Sequence, residues 1–135
     1  MIYVTRKADF SAAHRLYNPS WSDKQNDEVF GKCNNPNGHG HNYILEVTVR
    51  GDVDDSTGYL VDLKKLKEVI RVRVIDKVDH KNLNTDVEFL HGIIPTAENI
   101  ASAIWGELKG AIPSGTLHEI RLQETERNIV TYRGE

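Results

Sequence analysis

From His41 to Arg50 the sequence changes character at every residue. Tyr43, Leu45, Val47 and Val49 fall on one side of that alternation, and Asn42, Ile44, Glu46 and Thr48 on the other. Successive side chains of a strand point to opposite faces, so this period of two marks a strand with one face against a core. Strands with one wet face belong to antiparallel sheets. A second extended segment occupies residues 2 to 17, where Ile2, Val4, Phe10, Ala12 and His14 alternate with mostly polar or small neighbours. Two further strands, Glu119 to Glu124 and Ile129 to Tyr132, flank Thr125 to Asn128, which has the composition of a hairpin turn.

Between these strands the period lengthens. Asp62 has the chemistry of a helix cap, opening a helix that runs to about Lys77. Thr96 follows Pro95 and caps another helix, with Glu98 and Asn99 in its first turn and Ile100, Ala103, Ile104 and Leu108 along its buried stripe. Gly110 and Pro113 end it. Asn18 to Gly38 is rich in turn-formers and reads as one long loop, and loops of that length in small domains are often functional. The expectation is a single α+β domain over residues 1–135: an antiparallel four-stranded sheet with helices on one face. So small an open sheet leaves its edges unpaired, which favours oligomerisation through them.

Several function classes are excluded early. The net charge is −3 at pH 7, without the basic patch of nucleic-acid domains. The densest basic stretch, Lys64 to Arg73, alternates with Leu63, Leu66, Val69 and Ile70 and is the wet face of an amphipathic helix. No run approaches the roughly 20 apolar residues of a membrane span. The single cysteine, Cys33, cannot form an internal disulfide. With no signal-like apolar run at the N-terminus, the cytoplasm is the expected location.

The sharpest local motif is His39-Gly40-His41. Residues i and i+2 of a strand share a face, so both imidazoles can meet one metal ion, and Gly40 leaves room between them. His14, on the first strand, becomes a third ligand if that strand lies alongside. Three neutral imidazoles suit zinc and leave a fourth position open, as catalytic sites require. Cys33 has two readings. As a fourth ligand it would close a structural site; as a free thiol near a cation or metal it would be reactive. Asp79 beside His80 reads equally as a functional pair or as a helix-end histidine. Glu124, on its own, is a carboxylate at a strand end. His91 and His118 have no constellation around them and are read as surface residues.

Taken in order, five segments resemble the 6-pyruvoyl-tetrahydropterin synthase family. They are Phe10-Ser11-Ala12-Ala13-His14-Arg15-Leu16, then Phe30-Gly31-Lys32-Cys33-Asn34-Asn35-Pro36-Asn37-Gly38-His39-Gly40-His41-Asn42-Tyr43, then Asp79-His80-Lys81-Asn82-Leu83, Thr96-Ala97-Glu98-Asn99, and Glu124-Thr125 with Asn128-Ile129-Val130. The resemblance implies that His14, His39 and His41 hold one zinc per subunit, that Cys33 is the general base and that Asp79 with His80 is the assisting dyad. It implies that Glu124 anchors the pterin ring and that Thr96 and Glu98 line the same pocket. The implied fold is the tunnelling fold, in which three subunits close a β-barrel and two barrels stack into a homohexamer. The implied substrate is 7,8-dihydroneopterin triphosphate, whose triphosphate also introduces magnesium as a second candidate cofactor.

One departure is visible: some relatives have two threonines before the glutamate of the pterin-pocket segment, and here the second is Ala97. The rival within the resemblance is 6-carboxy-tetrahydropterin synthase, in which the cysteine typically lies closer to the H-x-H pair. The five residues from Asn34 to Gly38 favour the pyruvoyl branch. A non-catalytic zinc- or pterin-binding protein is the rival of another class, and it would not need Cys33, Asp79, His80 and Glu124 together.

Overall fold

The computed structural model describes all 135 residues. β1 (Ile2–His14) and β2 (His39–Gly51) pair antiparallel over their full length, from Ile2 opposite Gly51 to His14 opposite His39. β4 (Thr116–Thr125) lies on the other side of β2, and β5 (Asn128–Tyr132) returns along β4. The sheet has five strands rather than the expected four. The extra one, β3 (Lys81–Asn82), pairs parallel with β1 at Ala12 and Ala13, giving the order β3-β1-β2-β4-β5. Two residues carry no periodicity, so the sequence could not announce them.

The alternation in β2 is realised in full: Tyr43, Leu45, Val47 and Val49 are all completely buried. With Phe10, Ile120 and Leu122 they face the helices. Burying each such side chain stabilises the fold by about 1.5–3 kcal/mol. The opposite face is polar and carries Thr5 bonded to Thr48 at 2.7 Å, Ser11 donating to Asn42 at 2.7 Å, and a Glu46–Arg121 ion pair.

Both expected caps are present. Asp62 accepts from the Lys64 N–H at 2.9 Å and opens α2 (Leu63–Ile70). Thr96 accepts from the Asn99 N–H at 3.2 Å and opens α4 (Ala97–Leu108), which buries Ile100, Ala101, Ile104 and Leu108. Beyond α2 the chain widens into a π-turn, Arg71–Ile75, before the short α3 (Asp76–Val78). The buried positions Leu66, Ile70, Val74 and Val78 fall every four residues. At 3.6 residues per turn that stripe would drift about 40° per step. The wider turn absorbs the excess residue and keeps the stripe on the sheet.

The segment from Asn18 to Gly38 is not one loop. It contains α1 (Asp23–Phe30), capped by Ser22, and a single 3-10 turn, Gly31–Asn34. The helix shows no apolar stripe because its one buried residue is Asn26. Asn26 is locked to Asn18 by two hydrogen bonds of 2.7 and 3.0 Å.

Candidate active site

The register of β1 on β2 assembles the histidines. His14 stands opposite His39, and His41 stands opposite Ala12, so all three share one face at one end of the sheet. Their ring centroids are 4.6 to 5.1 Å apart, and one ligand nitrogen from each lies within 4.8 Å of the others. The buried His14 ring makes a 2.8 Å hydrogen bond through Nδ1 to the Pro95 carbonyl. A carbonyl only accepts, so Nδ1 carries the proton and Nε2 is left with a lone pair. That Nε2 is buried without a partner, as is Nδ1 of His39. Unpaired buried nitrogens cost about 1–3 kcal/mol each, so their concentration here marks a place for a ligand.

Burial holds the His14 pKa down to about 4, and burial followed by the neighbouring His41 lowers that of His39. Neutral imidazole is the ligating form, so the donor set fits a divalent ion such as zinc. The glycine that matters sterically is Gly38, not Gly40. A Cβ at Gly40 would meet only the Ala12 carbonyl at 3.7 Å, whereas Gly38 has φ +73° and lies so close to His14 that a Cβ would sit 2.9 Å from its carbonyl oxygen.

Cys33 is half-buried in the 3-10 turn and is not among the gathered donors. The gathered donors are the three imidazoles without the thiol. The Cys33 carbonyl accepts from the Leu16 N–H at 2.8 Å, which fixes its turn beside the end of β1.

Asp79 and His80 dock on β1 further back. The Asp79 carboxylate accepts from the Ser11 N–H at 2.9 Å and lies 3.0 Å from His80 Nδ1, while the His80 N–H donates to the Ser11 carbonyl at 2.6 Å. The Ser11 N–H, followed by the His80 interactions, holds the Asp79 carboxyl below its ordinary range. His80 has φ +60°, the only positive φ outside glycine, which costs about 1–2 kcal/mol. Its side chain is 82% exposed in the single chain.

Glu124 sits beside the three histidines, its carboxylate oxygens 4.0 Å from His14 Nε2 and 3.9 Å from His41 Nε2. It falls where the β4–β5 pairing slips between Gln123 and Thr125, an irregularity of the kind that re-aims a side chain. Two cavities share it. One, of about 710 Å³, also includes Ser11, His41, Asp79 and His80; the other, of about 530 Å³, includes Thr96, Glu98 and Arg127. His91 is exposed, and His118 packs edge-on against Tyr3, away from all of this.

Residues 3–135 match the family model described as 6-pyruvoyl tetrahydropterin synthase. The chain belongs to the 6-pyruvoyl tetrahydropterin synthase family. It is 50% identical over 133 residues to the 6-pyruvoyl tetrahydrobiopterin synthase of Poecilia reticulata, spanning 98% of this chain and 90% of that protein. The corresponding figures for the Homo sapiens enzyme are 46% over 132 residues, 98% and 91%. The solved structure of Caenorhabditis elegans 6-pyruvoyl tetrahydropterin synthase superposes with a TM-score of 0.94 at 45% identity, covering 99% of this chain and 96% of that one.

As a member of that synthase family the chain is an enzyme of pterin chemistry. Of the nine residues singled out in the sequence, the three histidines and Glu124 come together in one place, with Thr96 and Glu98 on one side of Glu124 and Asp79 and His80 on the other. Cys33 reaches the same strand end through its backbone. Sequence reasoning missed the Pro95 carbonyl, because a backbone acceptor leaves no residue-type signal. It also missed Ser11, whose contribution to the dyad is made by its main chain.

Proposed function

We propose that this chain is a zinc-dependent lyase that converts 7,8-dihydroneopterin triphosphate to 6-pyruvoyl-tetrahydropterin and inorganic triphosphate. The observation that carries the reading is the cluster of three imidazoles, with partnerless buried nitrogens, against the Glu124 carboxylate. The names of the relatives support the product, a 6-pyruvoyl tetrahydropterin. His14, His39 and His41 would hold the zinc, and bound zinc supplies a Lewis acid for the side-chain hydroxyls of the substrate.

The protein groups divide the remaining work. Glu124 accepts hydrogen bonds from the amino and ring N–H groups of the pterin and so fixes the ring beside the metal ligands. Thr96 and Glu98 line its cavity. The Cys33 thiolate removes a carbon-bound proton next to a hydroxyl. Asp79 holds His80 through Nδ1, which frees His80 Nε2 to accept and return protons. Triphosphate leaves by elimination, and the ring is reduced as the side chain is oxidised, so no external oxidant or reductant enters. Magnesium would accompany the triphosphate.

The assembly we propose is a homohexamer of two stacked trimers. Its support within the chain is the pair of unsatisfied sheet edges: the outer side of β5, and β1 over the residues that β3 does not reach, where Tyr3 and Ile129 are exposed. An exposed His80 also suits a site completed at a subunit boundary. No helix is long and apolar enough to cross a membrane, and we place the enzyme in the cytoplasm.

The test is incubation of zinc-loaded protein with 7,8-dihydroneopterin triphosphate and mass spectrometry of the pterin formed. A pyruvoyl side chain with equimolar triphosphate is expected. A 6-carboxy product would move the chain to the sister reaction, and bound zinc without turnover would mean a binding protein.

A further inference from the structure

We propose that Arg15 is a positioning residue: together with Asn34 it forms a clamp that sets the Cys33 thiol at the site. The proposal rests on the reading of Cys33 as the base. Cys33 lies in a four-residue 3-10 turn whose only buried member is polar, Asn34. Such a turn has no apolar anchor of its own, so its place depends on the hydrogen bonds of that asparagine. The Asn34 amide donates to Asp27 at 2.7 Å. Its side-chain oxygen and its backbone carbonyl both accept from Arg15 Nε, at 3.1 and 3.0 Å. One N–H shared by two acceptors of the same residue fixes both the side chain and the main chain directly after Cys33. The Leu16 N–H grips the Cys33 carbonyl at 2.8 Å.

Arg15 is itself held by two residues, Asn84 and Tyr17. Its N–H donates to Asn84 at 2.7 Å, its carbonyl accepts from the Asn84 amide at 2.8 Å, and its guanidinium lies 4.1 Å over the Tyr17 ring. Asn84 follows the segment that carries Asp79 and His80, and Arg15 directly follows His14. The clamp therefore ties the thiol segment, the strand of a metal ligand and the dyad segment to one another. The Arg15 Nε–H is spent on Asn34 and its guanidinium lies over Tyr17, so its contacts in the chain are with the turn that carries Cys33.

Cys33 is the only cysteine, so iodoacetamide alkylation at fixed pH reports on that thiol alone. Zinc-loaded wild type, Arg15→Gln, Arg15→Lys and Asp27→Ala would be compared. Asp27 is exposed, so its removal does not threaten folding. For Arg15→Gln we expect kcat to fall about 10- to 100-fold, the loss typical of a reacting group misplaced by an ångström. KM should stay within about threefold, as befits a residue outside the substrate contacts. Zinc content should be unchanged and the alkylation rate clearly altered. Asp27→Ala should shift kcat and alkylation in the same direction by less.

Arg15→Lys keeps the charge but loses the Nε–H fork and should restore only part of the rate. Full restoration by lysine would overturn the clamp in favour of charge alone. Wild-type kcat and alkylation in Arg15→Gln, even with lowered thermal stability, would also overturn it, as would loss of kcat only together with zinc. Wild-type turnover by Cys33→Ala would defeat the base reading instead, while leaving the effect of Arg15 on thiol reactivity standing.

Discussion

The two halves of this site are built on different principles. The metal half stands on the longest regular pairing in the molecule, in which thirteen residue pairs place His14 against His39. Every ladder hydrogen bond between Ile2 and Gly51 helps to fix that register, so no single contact decides it. The half to which we assign proton transfer stands on irregular chain: a 3-10 turn for Cys33, and a positive-φ residue after a three-residue helical segment for His80. Its placement hangs on a few named hydrogen bonds to Ser11, Arg15 and Leu16. Ligands of a metal need to be held against one another, and a sheet does this cheaply. Side chains carried on turns depend instead on individual hydrogen bonds to a rigid scaffold.

Substitutions should separate the two halves. The largest effect is expected for His14→Ala, which removes a ligand from the sheet half. Zinc measured by elemental analysis should fall well below one per chain, and activity should drop about a thousandfold or more, the worth of several kcal/mol of Lewis-acid stabilisation. Full zinc occupancy would take His14 out of the site. Cys33→Ala should leave zinc and thermal midpoint intact while lowering kcat by about 10²–10⁴, the range of a lost general base. If it stripped the zinc, the two halves would not be separable after all. Glu124→Gln keeps the shape but loses the charge. It should weaken pterin binding by about 10- to 100-fold, the worth of a hydrogen bond to a charged group. Calorimetry showing unchanged affinity would withdraw the anchoring role.

A perturbation of another kind, on stability rather than activity, is pH acting on metal-free protein. The folded chain holds His14 near pKa 4 against 6.5 in the unfolded chain. Between those values the unfolded chain binds more protons, so stability falls as pH drops from 6.5 towards 4, by on the order of 3 kcal/mol. Asp79, depressed below 3.8, loses its contribution only at lower pH. Urea midpoints of chelator-treated protein at pH 7 and 4.5 check this; equal midpoints would mean that burial does not hold His14 neutral.

The contrast between the halves also marks what could be read from the sequence. Alternation around Tyr43 and Val47, and caps at Asp62 and Thr96, are repeated physical signals, and they located the main strands and helices. The His39–His41 pair was legible because strand periodicity puts i and i+2 together. β3 was not legible, since two residues have no period. α1 was missed because its inward residue is Asn26, although Ser22 with Gln25 three residues later is a capping pattern that could have revealed it. The contacts of Cys33 and Asp79 to main-chain groups were beyond reach, because a backbone N–H or carbonyl is the same at every residue.

From Ser11 near the end of β1 to Leu16 just beyond it, almost every residue has an appointment to keep. Ser11 meets the dyad, Ala12 and Ala13 meet β3, His14 meets Pro95, Arg15 meets Asn34 and Leu16 meets Cys33. This stretch behaves as a ruler whose graduations are functional parts. Lengthening or shortening it by one residue would turn His14 to the opposite face and misalign the thiol and the dyad in the same stroke. Side-chain exchange is therefore tolerable here only where the main chain makes the contact, as at Ser11 and Leu16, and changes of length must be confined to places such as the exposed turn near Asp54 and Asp55.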